Sequence, residues 1–286
     1  MIHPLDSVRM IMAKVKSGIG QMNRENNEMR EIKVQIDYTQ NALASLIYSQ
    51  GDTMVLVCVT KAESLPRWFP RDAQRGWIHA EYSLLPGSTN TRFRRERNGA
   101  KGRTMEIERL VARSLRAAID LEELGPVALT IDCDILNADG GTRCASITAA
   151  SIALRLAIRR LISSGESVPR SKRLTKEEIR KGETPVELNE QDRKDHERSV
   201  MPNDVAALSV GMVDGKVWTD LDYALDSNAD VDMNVVMTSS GQFVEVQGTG
   251  EEATYSRGEL EELVDAAVLG ITKIHKIQSE ILSDSV

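Results

Sequence analysis

Aromatic residues make up only 4% of the 286-residue chain, so its core has to be filled by aliphatic side chains, and an architecture built on rows of base-stacking rings is not expected. The three cysteines, Cys58, Cys133 and Cys144, are scattered without metal-ligand spacing, which excludes a cysteine-based metal site and points to a reducing compartment without disulfides. His3, His79, His196 and His275 lie far apart and read as structural. The N-terminal residues mix apolar side chains with Arg9, Lys14 and Lys16, with no continuous apolar stretch suited to a signal peptide or membrane span; no membrane association is expected, and the cytoplasm is the expected location.

Basic residues are also in the minority, and the net charge of −7 excludes a surface coated with cations for nonspecific polyanion binding. The charge is nevertheless uneven. From Ser88 to Arg116 nine Arg or Lys stand against three Glu, leaving +6 there and −13 on the rest of the chain. A polyanion would be confined to one surface and repelled from the others.

What is present is a set of alternating strands and periodic helices. Residues 1–28 read as a weakly specified leader with a helical turn around Ser7 to Val15, and residues 29–286 as one domain. Ile32, Val34 and Ile36 alternate as a strand; Leu43 to Ser49 and Thr53 to Lys61 flank a tight turn at Gln50-Gly51-Asp52. Trp77 to Leu85 continues the β pattern, and a long Arg-rich loop follows up to Gly102. A helix over Thr104 to Leu121 buries Ile107, Leu110, Val111, Leu115 and Ala118, with Arg109, Arg113 and Arg116 on another stripe that suits ion pairs between protomers. The stretch 168–200 is charge-dense, with 17 charged residues from Arg170 to Ser199, and reads as a surface insertion. Strands resume at Val205 to Val213, Trp218 to Tyr223, Met233 to Met237 and Phe243 to Val246. A last helix opens with Ser256 and Glu259 at capping-box spacing. The order implies an α+β fold of two similar sheet-and-helix halves.

The most informative segment is Asn137-Ala138-Asp139-Gly140-Gly141-Thr142-Arg143. It joins the alternating strand Val127 to Leu136 to the helical pattern Ala145 to Leu161. Unpaired amides and the positive end of the helix dipole meet there, and paired glycines allow close backbone approach, a combination that suits an anion. Taken alone, the turn reads equally as an ordinary N-cap made by Thr142 with Arg143 solvated.

Six blocks, in order, resemble the ribonuclease PH family of phosphate-dependent 3′ exoribonucleases: Gly76-Trp77-Ile78-His79-Ala80-Glu81-Tyr82-Ser83, Gly102-Arg103-Thr104-Met105-Glu106-Ile107-Glu108-Arg109-Leu110, the Gly-Gly-Thr-Arg turn, Asp220-Leu221-Asp222-Tyr223, the run from Asp226 to Val236, and Phe243-Val244-Glu245-Val246-Gln247-Gly248-Thr249. The resemblance implies a fold like domain 2 of ribosomal protein S5. It also implies protomers in a hexameric ring (a trimer of dimers), Mg²⁺ as cofactor with inorganic phosphate as co-substrate, and trimming of transfer-RNA precursor 3′ ends. Position by position, Arg103, Gly141, Thr142 and Arg143 match the family's phosphate site. Asp226 and Asp232 match its acidic pair, which protonates the leaving 3′ oxygen or holds Mg²⁺; Asp222 and Asp230 compete for those roles. Arg92, Arg94, Arg95 and Arg97 are the candidates for gripping the RNA backbone.

The chain departs from the family in four places. No Asp-Gly-Arg element stands near Asn26-Asn27, Cys144 replaces a Thr, and Gly87 and Asn90 stand where Arg and His are common. The 168–200 stretch is longer by about 25 residues. A catalytically silent, exosome-like ring subunit that binds RNA or scaffolds a partner nuclease is the alternative.

Overall fold

A computed structural model describes residues 24–70, 73–184, 186–250 and 253–284; the turn expected at Ser7 to Val15 lies outside these residues. Alternating apolar positions build the first sheet from β1 (Ile32–Ile36), β2 (Ala44–Gln50), β3 (Thr53–Lys61), β4 (Trp77–Leu84) and β5 (Ala128–Asn137). Its order is β1-β2-β3-β5-β4, with β4 parallel to β5 and every other pairing antiparallel. The β4–β5 crossover carries helix α1 (Gly102–Ala117) and the short α2 (Leu121–Leu124). The second sheet takes β6 (Val205–Val213), β7 (Lys216–Thr219), β8 (Val231–Thr238) and β9 (Phe243–Gly250) in the antiparallel order β7-β6-β8-β9.

Helix α3 (Thr142–Ser163) joins the halves. Every residue from Cys144 to Ile158 is buried, because the helix lies between β2 and β3 of one sheet and β6 of the other. Most of its buried side chains are small or aliphatic, as in a helix enclosed on all sides, and the buried polar ones are partnered: Ser151 accepts the Val205 amide, Thr148 the Ala207 amide, and Arg155 pairs with Glu197. Strand β6 is buried on both faces for the same reason. Val205 and Ala207 join the main core around α3, while Ala206, Leu208 and Val210 face Leu263, Ala267 and Ile271 of the last helix, α7 (Arg257–Ser283). Each fully buried aliphatic side chain contributes roughly 1.5–3 kcal/mol, so this doubly covered strand holds the halves together. Both halves of the Ser256–Glu259 capping box form at the start of α7.

Four local expectations are corrected. Helix α1 stops at Ala117 rather than Leu121, since the Asp120 carboxylate accepts the amides of Glu122 and Glu123 and starts a new helix. The strand expected over Trp218 to Tyr223 begins at Lys216 and ends at Thr219; Asp220 turns the chain with φ of 60°, and Asp222 caps α6 (Tyr223–Asp226). Strand β9 runs on to Gly250 beyond the expected Val246. Finally, 168–200 is not solvated throughout. It holds a 3-10 turn at Arg170–Lys172, helix α4 (Lys176–Arg180) and helix α5 (Glu190–Val200). Glu197 of α5 pairs with Arg155 and Arg159 of α3, and Val200 is fully buried in the main core.

Candidate active site

The strand-to-helix turn is held from below by two polar anchors. Thr53 donates its hydroxyl to the Gly140 carbonyl at 2.7 Å and accepts the Asp139 amide at 3.1 Å. The Arg30 guanidinium grips Asp220 through Nε and Nη2 at 3.0 and 2.6 Å and also donates to the Asp139 and Leu221 carbonyls. Burial pulls the Arg30 guanidinium down, but pairing with Asp220 and the charges of Asp139 and Asp222 outweigh it, so its pKa rises and it stays charged. Gly140 has φ of 74°, and a Cβ there would stand 2.5 Å from the Leu221 carbonyl oxygen, so only glycine fits.

Gly141, not Thr142, is the N-cap of α3, and no side chain caps the helix. Thr142 is its first residue, and its hydroxyl accepts the phenolic proton of Tyr82 at 2.9 Å. Helix α1 likewise starts, on Lys101, without a side-chain cap, and neither helix has an acidic residue in its first turn. By contrast Asp120, Thr175, Asn189, Asp222 and Ser256 cap the other α-helices. The two uncapped helices are the ones whose first turns carry Arg103 and Arg143, an unfavourable place for a cation unless an anion is near.

The charges of both guanidiniums are felt at Tyr82. Burial pushes its phenol pKa up, while the Thr142 hydrogen bond and the charges of Arg103 and Arg143 act in the opposite sense. Arg143 is further oriented by Glu106 at 3.2 Å and by Gln247 at 3.1 Å, and Gln247 in turn donates to Glu106. Arg103 is exposed.

The acidic candidates come from the second half of the chain, and their charges are felt at Cys144 near the start of α3. Asp226 closes α6, and Asp232 lies on β8 opposite Gly211 and Thr249. The charges of both, with that of Asp220, add to the burial that raises the Cys144 thiol, against the neighbouring Arg143. Cys144 itself is buried and donates to Asn234 at 3.1 Å, so it is a packed, inert thiol. Asp222 and Asp230 separate from the pair: Asp222 caps α6 and pairs with Arg24 at 3.6 Å, while Asp230 is exposed, its amide bound to Met212.

Arg92, Arg94, Arg95 and Arg97 lie in the irregular 85–101 segment, which is tied to the strand-to-helix turn because Ser88 accepts the Ala138 amide at 2.8 Å. Arg95 faces Asp134 on β5, opposing the rise that burial gives this carboxyl. Arg92, Arg94 and Arg97 are exposed with no ion pair among the described residues. Within the chain Arg113 pairs with Glu245 at 2.9 Å and Arg116 lies over the Trp77 ring, while Arg109 is exposed.

The candidate Mg²⁺ donors are the two carboxylates of Asp226 and Asp232, oxygen ligands of the type this hard cation takes; among the described residues no group of three His, Cys, Asp or Glu side chains is placed to hold a metal ion. Sequence reasoning missed Tyr82, Glu106 and Gln247 as site residues and Thr53, Arg30 and Asp220 as anchors. The first three sit inside the matching blocks, and that position was the only signal for them.

A family model described as the 3′ exoribonuclease family, domain 1, matches residues 28–159, and its domain 2 partner matches residues 204–269. The chain is 43% identical over 256 residues to ribonuclease PH of Rhodopirellula baltica, covering 89% of this chain and 94% of the relative. It is 46% identical over 266 residues to ribonuclease PH of Bacillus cereus, covering 92% and 96%. In fold it is similar to rice Rrp46 (TM-score 0.64, 15% identity, 91% and 98% covered) and to a chain of the Archaeoglobus fulgidus exosome with RNA bound to the active site (0.66, 20%, 95% and 98%). The two sheet-and-helix halves match the ribosomal protein S5 domain 2-like arrangement.

Proposed function

The chain belongs to the ribonuclease PH family of 3′ exoribonucleases, and on that premise we propose that it trims transfer-RNA precursor 3′ ends with inorganic phosphate as the nucleophile. The observation that carries this reading is the pair of uncapped helix N-termini bearing Arg103 and Arg143. Phosphate must be held beside a second anion, the scissile phosphodiester, and two guanidinium forks with helix amides offset that repulsion. Thr142, fixed by Tyr82, and Gly141, which lets the backbone approach, complete the seat.

A phosphate oxygen attacks the terminal phosphorus, the bond from phosphorus to the upstream 3′ oxygen breaks, and a nucleoside 5′-diphosphate leaves. The upstream 3′ oxygen takes up a proton, and Asp226 and Asp232 are the carboxyl groups assigned to deliver it or to hold Mg²⁺. Mg²⁺ bound by these carboxylates would neutralise charge on the phosphoryl oxygens. Arg92, Arg94, Arg95 and Arg97 grip the RNA backbone without reading sequence. The reaction runs backwards from diphosphates. We assign the protein to the cytoplasm and to a homo-oligomeric ring, a hexamer built as a trimer of dimers, in which loops of neighbouring protomers line the RNA route.

The silent-subunit reading is disfavoured because Arg103, Arg143, Asp226 and Asp232 are all present. The test is a 3′-labelled RNA incubated with Mg²⁺, with and without phosphate. Diphosphate release that requires phosphate is expected; monophosphate release without phosphate, or no release, overturns the proposal.

A further inference from the structure

The chain has few aromatic residues, yet three of them meet at one place. Trp68 and Phe69, on the β3–β4 connection, and Trp77, at the start of β4, pack edge to face, with centroids 4.5 Å apart for Trp68–Phe69, 4.9 Å for Trp68–Trp77 and 5.7 Å for Phe69–Trp77. They line a cavity of about 430 Å³, within the range of small-ligand sites. A ring serving only to close the core would be covered, but Trp68 is 67% exposed and is braced upright by its two neighbours.

Cations surround the rings. Arg116 lies 4.5 Å over Trp77 and Arg75 lies 5.8 Å from the Phe69 centroid. Arg170, also on the cavity wall, pairs with Glu122 at 2.6 Å, whereas Arg75 and Arg116 have no ion pair among the described residues. An exposed indole beside these guanidiniums matches the chemistry of a nucleotide, whose base stacks on the ring and whose phosphate meets the cations.

Helix α1 runs from the proposed phosphate seat to the Trp77 ring. Helix α1 carries Arg103 at its N-terminus and Arg116 near its C-terminus, and thirteen residues of helix separate them by about 20 Å. Arg109 and Arg116 share a face of the helix between the two places, with Arg113 of the same face paired to Glu245. At roughly 3.4 Å per stacked nucleotide, about six nucleotides span that distance.

We propose that the Trp68–Phe69–Trp77 cavity is an upstream RNA subsite that stacks a base about six nucleotides from the 3′ end, a proposal that rests on the RNA-degrading function above. It sets a chain-length preference: RNA long enough to reach the cavity is held more tightly than a fragment that fills only the phosphate-site end.

The test compares the native protein with Trp68→Ala and Trp68→Phe on RNAs of three and twelve nucleotides. We expect Trp68→Ala to raise KM for the longer RNA about tenfold, with kcat unchanged and the shorter RNA unaffected, and Trp68→Phe to restore most of the loss. An unchanged KM for the longer RNA overturns the proposal. So does an equal rise for both lengths, or a changed sedimentation coefficient with KM unaltered, which would make the cavity a contact between copies of the chain. If the native protein degrades neither RNA, the functional reading fails by itself. Fluorescence anisotropy of the labelled twelve-nucleotide RNA against native and Trp68→Ala protein then decides the subsite, equal affinities refuting it.

Discussion

Tyr82 donates its phenolic proton to the Thr142 hydroxyl across 2.9 Å, tying the outermost strand of the first sheet to the first residue of the central helix. The ring is buried and the hydroxyl is aimed at the turn proposed to seat phosphate. Tyr82→Phe keeps the packing and removes the tether. We expect a fall in Tm of a few degrees, in line with roughly 0.5–1.5 kcal/mol for one intramolecular hydrogen bond, and a rise in KM for phosphate of about 2- to 10-fold. Steady-state rates at varied phosphate check this, and an unaltered KM would remove Thr142 from the site.

Arg143 is shared between the proposed phosphate and Glu106. Arg143→Ala is expected to abolish phosphate-dependent turnover while leaving sedimentation unchanged. Glu106→Gln should act the other way, lowering KM for phosphate by up to about fivefold, since a partly exposed ion pair is worth at most about 1 kcal/mol. A higher KM in Glu106→Gln would mean that the carboxylate orients Arg143 more than it competes for it.

The two aspartates are assigned overlapping tasks that kinetics can separate. Asp226→Asn and Asp232→Asn should each lower kcat by about 10²- to 10⁴-fold with phosphate affinity kept. The variant that loses the acid should flatten the pH dependence of kcat, and the one that loses the metal ligand should need more Mg²⁺. Near-native rates in both would dismiss the pair.

The exposed arginines of the 85–101 segment contribute charge rather than sequence readout. Replacing Arg92, Arg94 and Arg97 by Gln should weaken binding of unrelated RNAs to a similar degree. It should also reduce the slope of log affinity against log salt by about 2, near 0.7 for each lost phosphate contact on a single strand. An unchanged slope would place RNA elsewhere.

Stability should depend on pH through two buried imidazoles. Burial lowers the pKa values of His196 and His275 below their ordinary value. The unfolded chain therefore binds protons first, so the stabilisation is complete above about pH 6.5 and is lost as pH falls below it. Tm should drop between pH 7 and 5, and drop less in His196→Gln. The carboxyls Asp132, Asp134 and Asp139, pushed up by burial, act with the opposite sign towards lower pH. Parallel Tm profiles for the two proteins would refute the contribution of His196.

Much of this was legible along the chain because it depends on neighbours in sequence. Alternation marked most strands, Ser256 and Glu259 fixed the start of α7, and two consecutive glycines marked the turn between β5 and α3. Side chains meeting across the fold were not legible. Glu106 and Arg143 are thirty-seven positions apart, Gln247 is farther still, and the packing of α1, α3 and β9 brings them together. The aromatic cavity was hidden by composition, since a low total says nothing about where the rings gather. It was also separated in sequence by a connection with no periodicity of its own. Local hydrogen bonding and burial period are fixed by a residue's immediate neighbours. The distances among functional groups follow from which faces are buried against each other, and that was decided when the central helix closed between the two sheets.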